Sequence, residues 1–140
     1  MSTKFRDNLV RTIQLFVGAR KEAKARLRVT PGQGRVYING IPVEIYGNEI
    51  VREKILTPLR LDDKFVKTHD FRIKVEGGGI IGQADACAMA IARALAAHSE
   101  SLKAKILQFN RYLIAGDPRR TEPKKPNRRS ARRFKQKSYR

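Results

Sequence analysis

The chain has 140 residues, 41% of them hydrophobic, and a formal net charge of +18. That implies one modest core plus an appendage, and a charge so one-signed points to a polyanionic partner, nucleic acid before an anionic membrane surface. A single cysteine, Cys87, excludes an internal disulfide and a zinc knuckle or finger, and fits a reduced, cytoplasmic setting.

Residues 1–10 show no period. Arg11 and Gln14 interrupt the first apolar run, which excludes a signal-peptide core. Residues 12–17 alternate, with Ile13, Leu15 and Val17 on one face, and predict a strand; Gly18 predicts a bend or bulge. The clearest alternation follows. Ala23, Ala25, Leu27 and Val29 point one way, and Glu22, Lys24, Arg26 and Arg28 the other. A strand with one apolar and one basic face lies on a core while facing something anionic. Residues 30–34 read as a turn, residues 35–38 as a short strand, and Asn39-Gly40 as a hairpin turn into residues 41–46, with Pro42 marking an edge or irregular strand.

Asn48 predicts the cap of a helix through about Leu56, with Val51 and Ile55 inward and Thr57-Pro58 as its stop. Residues 60–69 read as a loop or a ragged turn. Phe71, Ile73 and Val75 then alternate with Arg72 and Lys74, a second strand with a basic outer face. After Gly77-Gly78-Gly79 the apolar positions Ile81, Ala84, Ala88, Ile91 and Leu95 step by helical spacing, predicting a helix to about His98. Eight of the 14 residues from Ala84 to Ala97 are alanine, so this helix can lie very close to its sheet. Asp85 and Arg93 within it argue against a membrane span. Ser99 or Ser101 begins another helix with Leu102, Ile106, Phe109 and Leu113 inward, and Gly116 is placed to end it. The sum is an α+β fold of two layers, a sheet with helices on one face and basic side chains on the other.

The boundary between body and appendage falls at residue 116. Residues 117–140 hold eleven Lys or Arg against two acids, Asp117 and Glu122; Pro118, Pro123 and Pro126 break any long helix. Too little apolar surface is present to offset the entropy of ordering, so this segment is expected to be extended and to take its path from a polyanion. Its pairs Arg119-Arg120, Arg128-Arg129 and Arg132-Arg133 suit bidentate phosphate contacts. Phe134 and Tyr139 suit stacking on unpaired bases, which favours RNA with loops over plain duplex.

Gly77 to Gly82 literally matches G-x-G-x-x-G after a strand and before a helix. A dinucleotide site also needs a second parallel strand ending in an acid, where here a further helix follows. Gln83 and Ala84 stand where a phosphate loop needs Lys and Ser or Thr. The glycines are better read as backbone freedom at a strand-to-helix turn, or as close approach of amides to a phosphate. His69 and His98 have no partner at catalytic or metal spacing, Cys87 reads as a small core residue, and Asp62-Asp63 as a solvated pair. No enzyme, cofactor, metal or small-molecule substrate is expected.

These residues carry a resemblance. GARKEAKARLRVTPGQGRVYING (Gly18 to Gly40), VEGGGIIGQADACAMAIARAL (Val75 to Leu95) and the Arg-terminated tail resemble the small-subunit ribosomal protein nine family. The ending Ser138-Tyr139-Arg140 is similar to its archaeal and eukaryotic branch. The resemblance implies a left-handed β-α-β crossover in the fold and a body bound to small-subunit ribosomal RNA in the head, beside neighbouring head proteins. It implies that Arg20, Lys21, Lys24 and Arg26, with Arg119, Arg120, Lys124, Lys125, Arg128, Arg129, Arg132, Arg133 and Lys135, face that RNA; Arg28, Arg72 and Lys74 join them from the residue pattern. It implies that Arg140, with Tyr139 and Lys137, reaches the anticodon stem-loop of transfer RNA in the peptidyl site. Ala19 stands where members usually carry a basic residue, and Tyr139 where bacterial members carry Lys.

Overall fold

The computed structural model describes residues 14–140. Strands β1 (Leu15–Arg20) and β2 (Ala23–Pro31) form a hairpin, β3 (Val36–Ile38) and β4 (Ile41–Pro42) a second, and β5 (His69–Glu76) lies between them. The single sheet has the order β1-β2-β5-β3-β4, antiparallel throughout except for the parallel pair β3 and β5. Two short helices, α1 (Glu49–Leu56) and α2 (Asp63–Thr68), lie in the connection between that pair. After β5 come α3 (Ile80–His98), α4 (Glu100–Asn110) and α5 (Tyr112–Ala115).

The alternation in β2 and β5 sets the layers. Ala25 sits opposite Val75 and Leu27 opposite Ile73, and all four are buried; Val36 and Ile38 extend this face through β3. Helix α3 crosses β1 and β2 on this side, and α1, α4 and α5 pack around it. From Ala84 to Leu95 it is therefore buried on nearly every side, as its apolar character requires. Length and a mean hydropathy of 1.3 would let it span a bilayer, but the sheet and the flanking helices already cover it. Its two charges are satisfied within the fold: Asp85 accepts from Lys54 at 2.6 Å, and Arg93 donates to the carbonyls of Val17 and Ile114.

Several expectations change. Residues 12 and 13 lie outside the described residues. Leu15 and Val17 do share a face, but it is the outer one (63% and 48% exposed), while Phe16 and Gly18 face the helices. Gly18 makes no bulge, since the register runs unbroken from Leu15–Arg28 to Arg20–Ala23. Glycine is needed there for closeness instead: a Cβ would stand 2.0 Å from the Ala86 carbonyl oxygen and 2.8 Å from the Ala90 nitrogen.

The Asn39-Gly40 turn is present with φ of 50° and 82°, the left-handed pair a two-residue hairpin requires. The Asn39 amide also bonds both N–H and C=O of Val75 and so prolongs the parallel ladder. Pro42 has no N–H to continue pairing, so β4 stops after two residues and residues 43–45 form a 3₁₀ turn rather than the expected strand. Residues 60–69 are more ordered than a loop. A 3₁₀ turn over Pro58–Leu61 precedes α2, whose N-cap is Asp62, its carboxylate accepting from Lys64 N at 3.2 Å. The last helix breaks at Arg111; Phe109, in the last turn of α4, is 57% exposed instead of inward, and Ile81 is half exposed in the first turn of α3.

Candidate nucleic-acid interface

The outer face of the sheet is built by the odd-even rule that built the core. Lys24, Arg26 and Arg28 of β2 are exposed, as are Arg72 and Lys74 of β5. The register sets Arg26 directly opposite Lys74 and Arg28 directly opposite Arg72. Like charges facing each other across an antiparallel pair destabilise the sheet, so this arrangement costs the free protein stability. Relief is partial. Glu76 pairs with Arg26 and lies across from Lys24, whereas Lys24, Arg28, Arg72 and Lys74 have no acidic partner within salt-bridge distance among the described residues. A phosphate backbone would turn the repulsion into attraction.

The face is not purely charged. Val17 lies across from Arg26 and Leu15 across from Arg28, giving the long arginine stems an apolar shelf. Tyr37 lies across from Arg72, with the guanidinium 6.0 Å from its ring centre. Amphipathic stems beside exposed apolar side chains suit ribose and base edges as well as phosphates.

Residues 117–140 add no helix; their one bridge joins Arg128 and Phe134. The Arg128 guanidinium lies 4.3 Å from the centre of the Phe134 ring, closing a small loop that Arg129 N donating to Arg133 O at 2.8 Å also holds. Both acids are spent internally. Glu122 takes Lys125 at 2.6 Å and Arg132 at 2.8 Å, and those hydrogen bonds lower its pKa. Lys124, Arg129, Arg133, Lys135, Lys137 and Arg140 have no acidic partner among the described residues. Tyr139 is exposed.

Arg20 is the expected contact residue that turns inward. It is largely covered, pairs with Asp117 and lies 3.8 Å from Asp85. Asp117, only 8% exposed, is also held by the Arg119 side chain at 2.6 Å and accepts from Arg119 N at 2.9 Å. These hydrogen bonds from Arg119, with the charge of Arg20, hold its carboxyl well below the usual range. Lys21 is exposed at the β1–β2 turn with φ 53°, and its carbonyl accepts from Arg120. Sequence reasoning did not find the Arg20–Asp117 pair; the only signal was an acid at the start of a basic segment.

The glycine loop has no nucleotide-site architecture around it. Gly77 and Gly78 have φ of 76° and 64°, and a Cβ on Gly77 would stand 2.5 Å from the Glu22 carbonyl oxygen. They let the loop fold against the β1–β2 turn. His69 and His98 stack on Phe65, each 4.1 Å away, with 6.5 Å between the two imidazoles. No group of three metal-ligating side chains occurs among the described residues. Cys87 is buried, and burial pushes its thiol up to about 12.

The profile of a family described as ribosomal protein S9/S16 matches residues 18–140, taking in both the basic sheet face and residues 117–140. The chain belongs to the ribosomal protein S9/S16 family. It is similar to small ribosomal subunit protein uS9 of Sulfurisphaera tokodaii, 51% identical over 86% of this chain and 90% of the relative. With the uS9 protein of Aeropyrum pernix it shares 45% identity over 94% of this chain and 99% of the relative, and with that of Desulfurococcus amylolyticus 48% over 88% and 89%. These relatives are archaeal, in keeping with the Ser-Tyr-Arg ending, and a member of this family is a ribosomal protein, not an enzyme.

Proposed function

We propose that this small-subunit ribosomal protein does its structural work by clamping ribosomal RNA in the subunit head between two cationic surfaces. One is the outer sheet face of Lys24, Arg26, Arg28, Arg72 and Lys74, with Lys21 at its turn. The other is the tail, with the cations from Arg119 to Lys135 on phosphates and the tip at Lys137, Tyr139 and Arg140 reaching the anticodon stem-loop of peptidyl-site transfer RNA. Neighbouring head proteins complete its surroundings on the cytoplasmic ribosome. The observation that carries the reading is the in-register opposition of Arg26 with Lys74 and Arg28 with Arg72, a feature that costs the free protein and is repaid only by a bound polyanion.

The test uses small subunits reconstituted with full-length protein or with protein lacking Ser138–Arg140. Both are expected to assemble and sediment alike, and the shortened form to release peptidyl-site transfer RNA faster. Equal retention would remove the tail tip from the account. Failure of the full chain to sediment with small subunits at low salt, where phosphate contacts are strongest, would remove the rest.

A further inference from the structure

We propose that Asp117 is a positioning residue, which locks the root of the tail to Arg20 on β1 and so fixes where and in which direction the tail leaves the body. This rests on the reading of the tail given above and adds a part to it. An acid at the start of a phosphate-binding segment weakens binding if it faces RNA. Asp117 does not face outward: its carboxylate is 8% exposed and turned into the body. It joins a row of alternating charges, Lys54–Asp85–Arg20–Asp117–Arg119, which crosses α1, α3 and β1 and ends in the tail.

The flanking residues are held as well. Just before, Arg93 of α3 ties the Ile114 carbonyl to the Val17 carbonyl of β1. Gly116 then turns the chain at φ 86°, a conformation side chains rarely adopt, beside Met89 and Arg93. Just after, Arg120 reaches the Lys21 carbonyl at the hairpin turn. Residues 114–120 are thus fastened at successive points to β1, its turn and α3. A charged, proline-containing segment is extended, and with a free root its tip could point in any direction. Fastening its first residues removes most of those directions, and so raises the concentration of the tip near one target without adding a contact there.

The experiment compares the full chain with its D117N and D117E variants. In the free protein, hydrogen exchange at the Arg119 amide and tryptic cleavage after Arg119 and Arg120 are each expected to speed up about tenfold or more in D117N, with D117E closer to wild type. In reconstituted small subunits D117N should release peptidyl-site transfer RNA faster while its affinity for ribosomal RNA stays within about threefold. Unchanged Arg119 exchange in D117N overturns the lock. Faster exchange with undiminished retention, in particles where removing Ser138–Arg140 does lower retention, overturns the positioning role and leaves the tail-tip reading standing. No effect of that removal overturns the tail-tip reading and the positioning role together, while the exchange result still decides the lock.

Discussion

Gly18 meets the backbone of α3 so closely that any side chain there must move a helix. The Gly18→Ala variant should lose about 1–3 kcal/mol or more, read as a lower midpoint in urea, because the atoms in the way are main-chain and cannot rotate aside. Its role was not legible in the sequence: a lone glycine in a strand looks the same whether it bulges or is overlaid. Cys87 was legible, because an alanine-rich helix offers a thiol only a core position. With its thiol raised to about 12, it should resist alkylation at pH 8 in the folded protein and react fully in denaturant.

Asp70 works at the same scale. The backbone N–H groups of Arg35 and Gln33 donate to its carboxylate at 3.0 and 2.8 Å and hold its pKa below the ordinary value. A folded pKa below the unfolded one means that the unfolded chain takes up the proton first. The stabilisation is therefore complete above about pH 4 and fades as the pH falls through the lower, folded value. Wild type should be more stable than Asp70→Asn at neutral pH, and acid unfolding curves should show the gap closing below pH 4. A gap independent of pH would assign the effect to something other than the carboxylate.

At the scale of elements, β2 and β5 were plain from the alternation of Ala25, Leu27, Ile73 and Val75 with Arg26, Arg28, Arg72 and Lys74, because a period of two maps directly onto two faces. What alternation could not supply was register, and register is what makes the outer face informative: only pairing shows Arg28 opposite Arg72. The Arg28→Gln variant should accordingly be slightly more stable than wild type, by up to about 1 kcal/mol, and bind RNA more weakly, with a salt slope shallower by about one. Thermal unfolding and a salt series check both signs; a variant that loses stability and keeps its RNA affinity would contradict the assignment. Helix α2 escaped notice because six residues carry no readable period, and its cap, Asp62, looks like any loop acid. Phe109 keeps the helical spacing of the buried Leu102 and Ile106 and is nonetheless exposed, because spacing assigns a face but not whether another element covers its end.

For the whole molecule, composition sets residues 117–140 apart as strongly basic, while the contacts that join them to the body were not legible. Arg20 and Asp117 are 97 positions apart, and no local pattern joins them; the same holds for His98 meeting Phe65 beside His69. Asp85 and Arg93 already argued against a membrane span for α3; what the sequence could not say is which elements cover it. Two cationic surfaces on one small body, each largely uncompensated by acids, amount to a molecule whose charge is complete only on a polyanion. Binding then releases counterions from the phosphates, and its strength must depend on salt.

The most direct measurement is the affinity of the full chain for a structured fragment of small-subunit ribosomal RNA between 50 and 200 mM salt. With roughly six to ten phosphates neutralised, the affinity should fall about 10³–10⁵-fold over that range. An affinity that hardly changes would contradict the account.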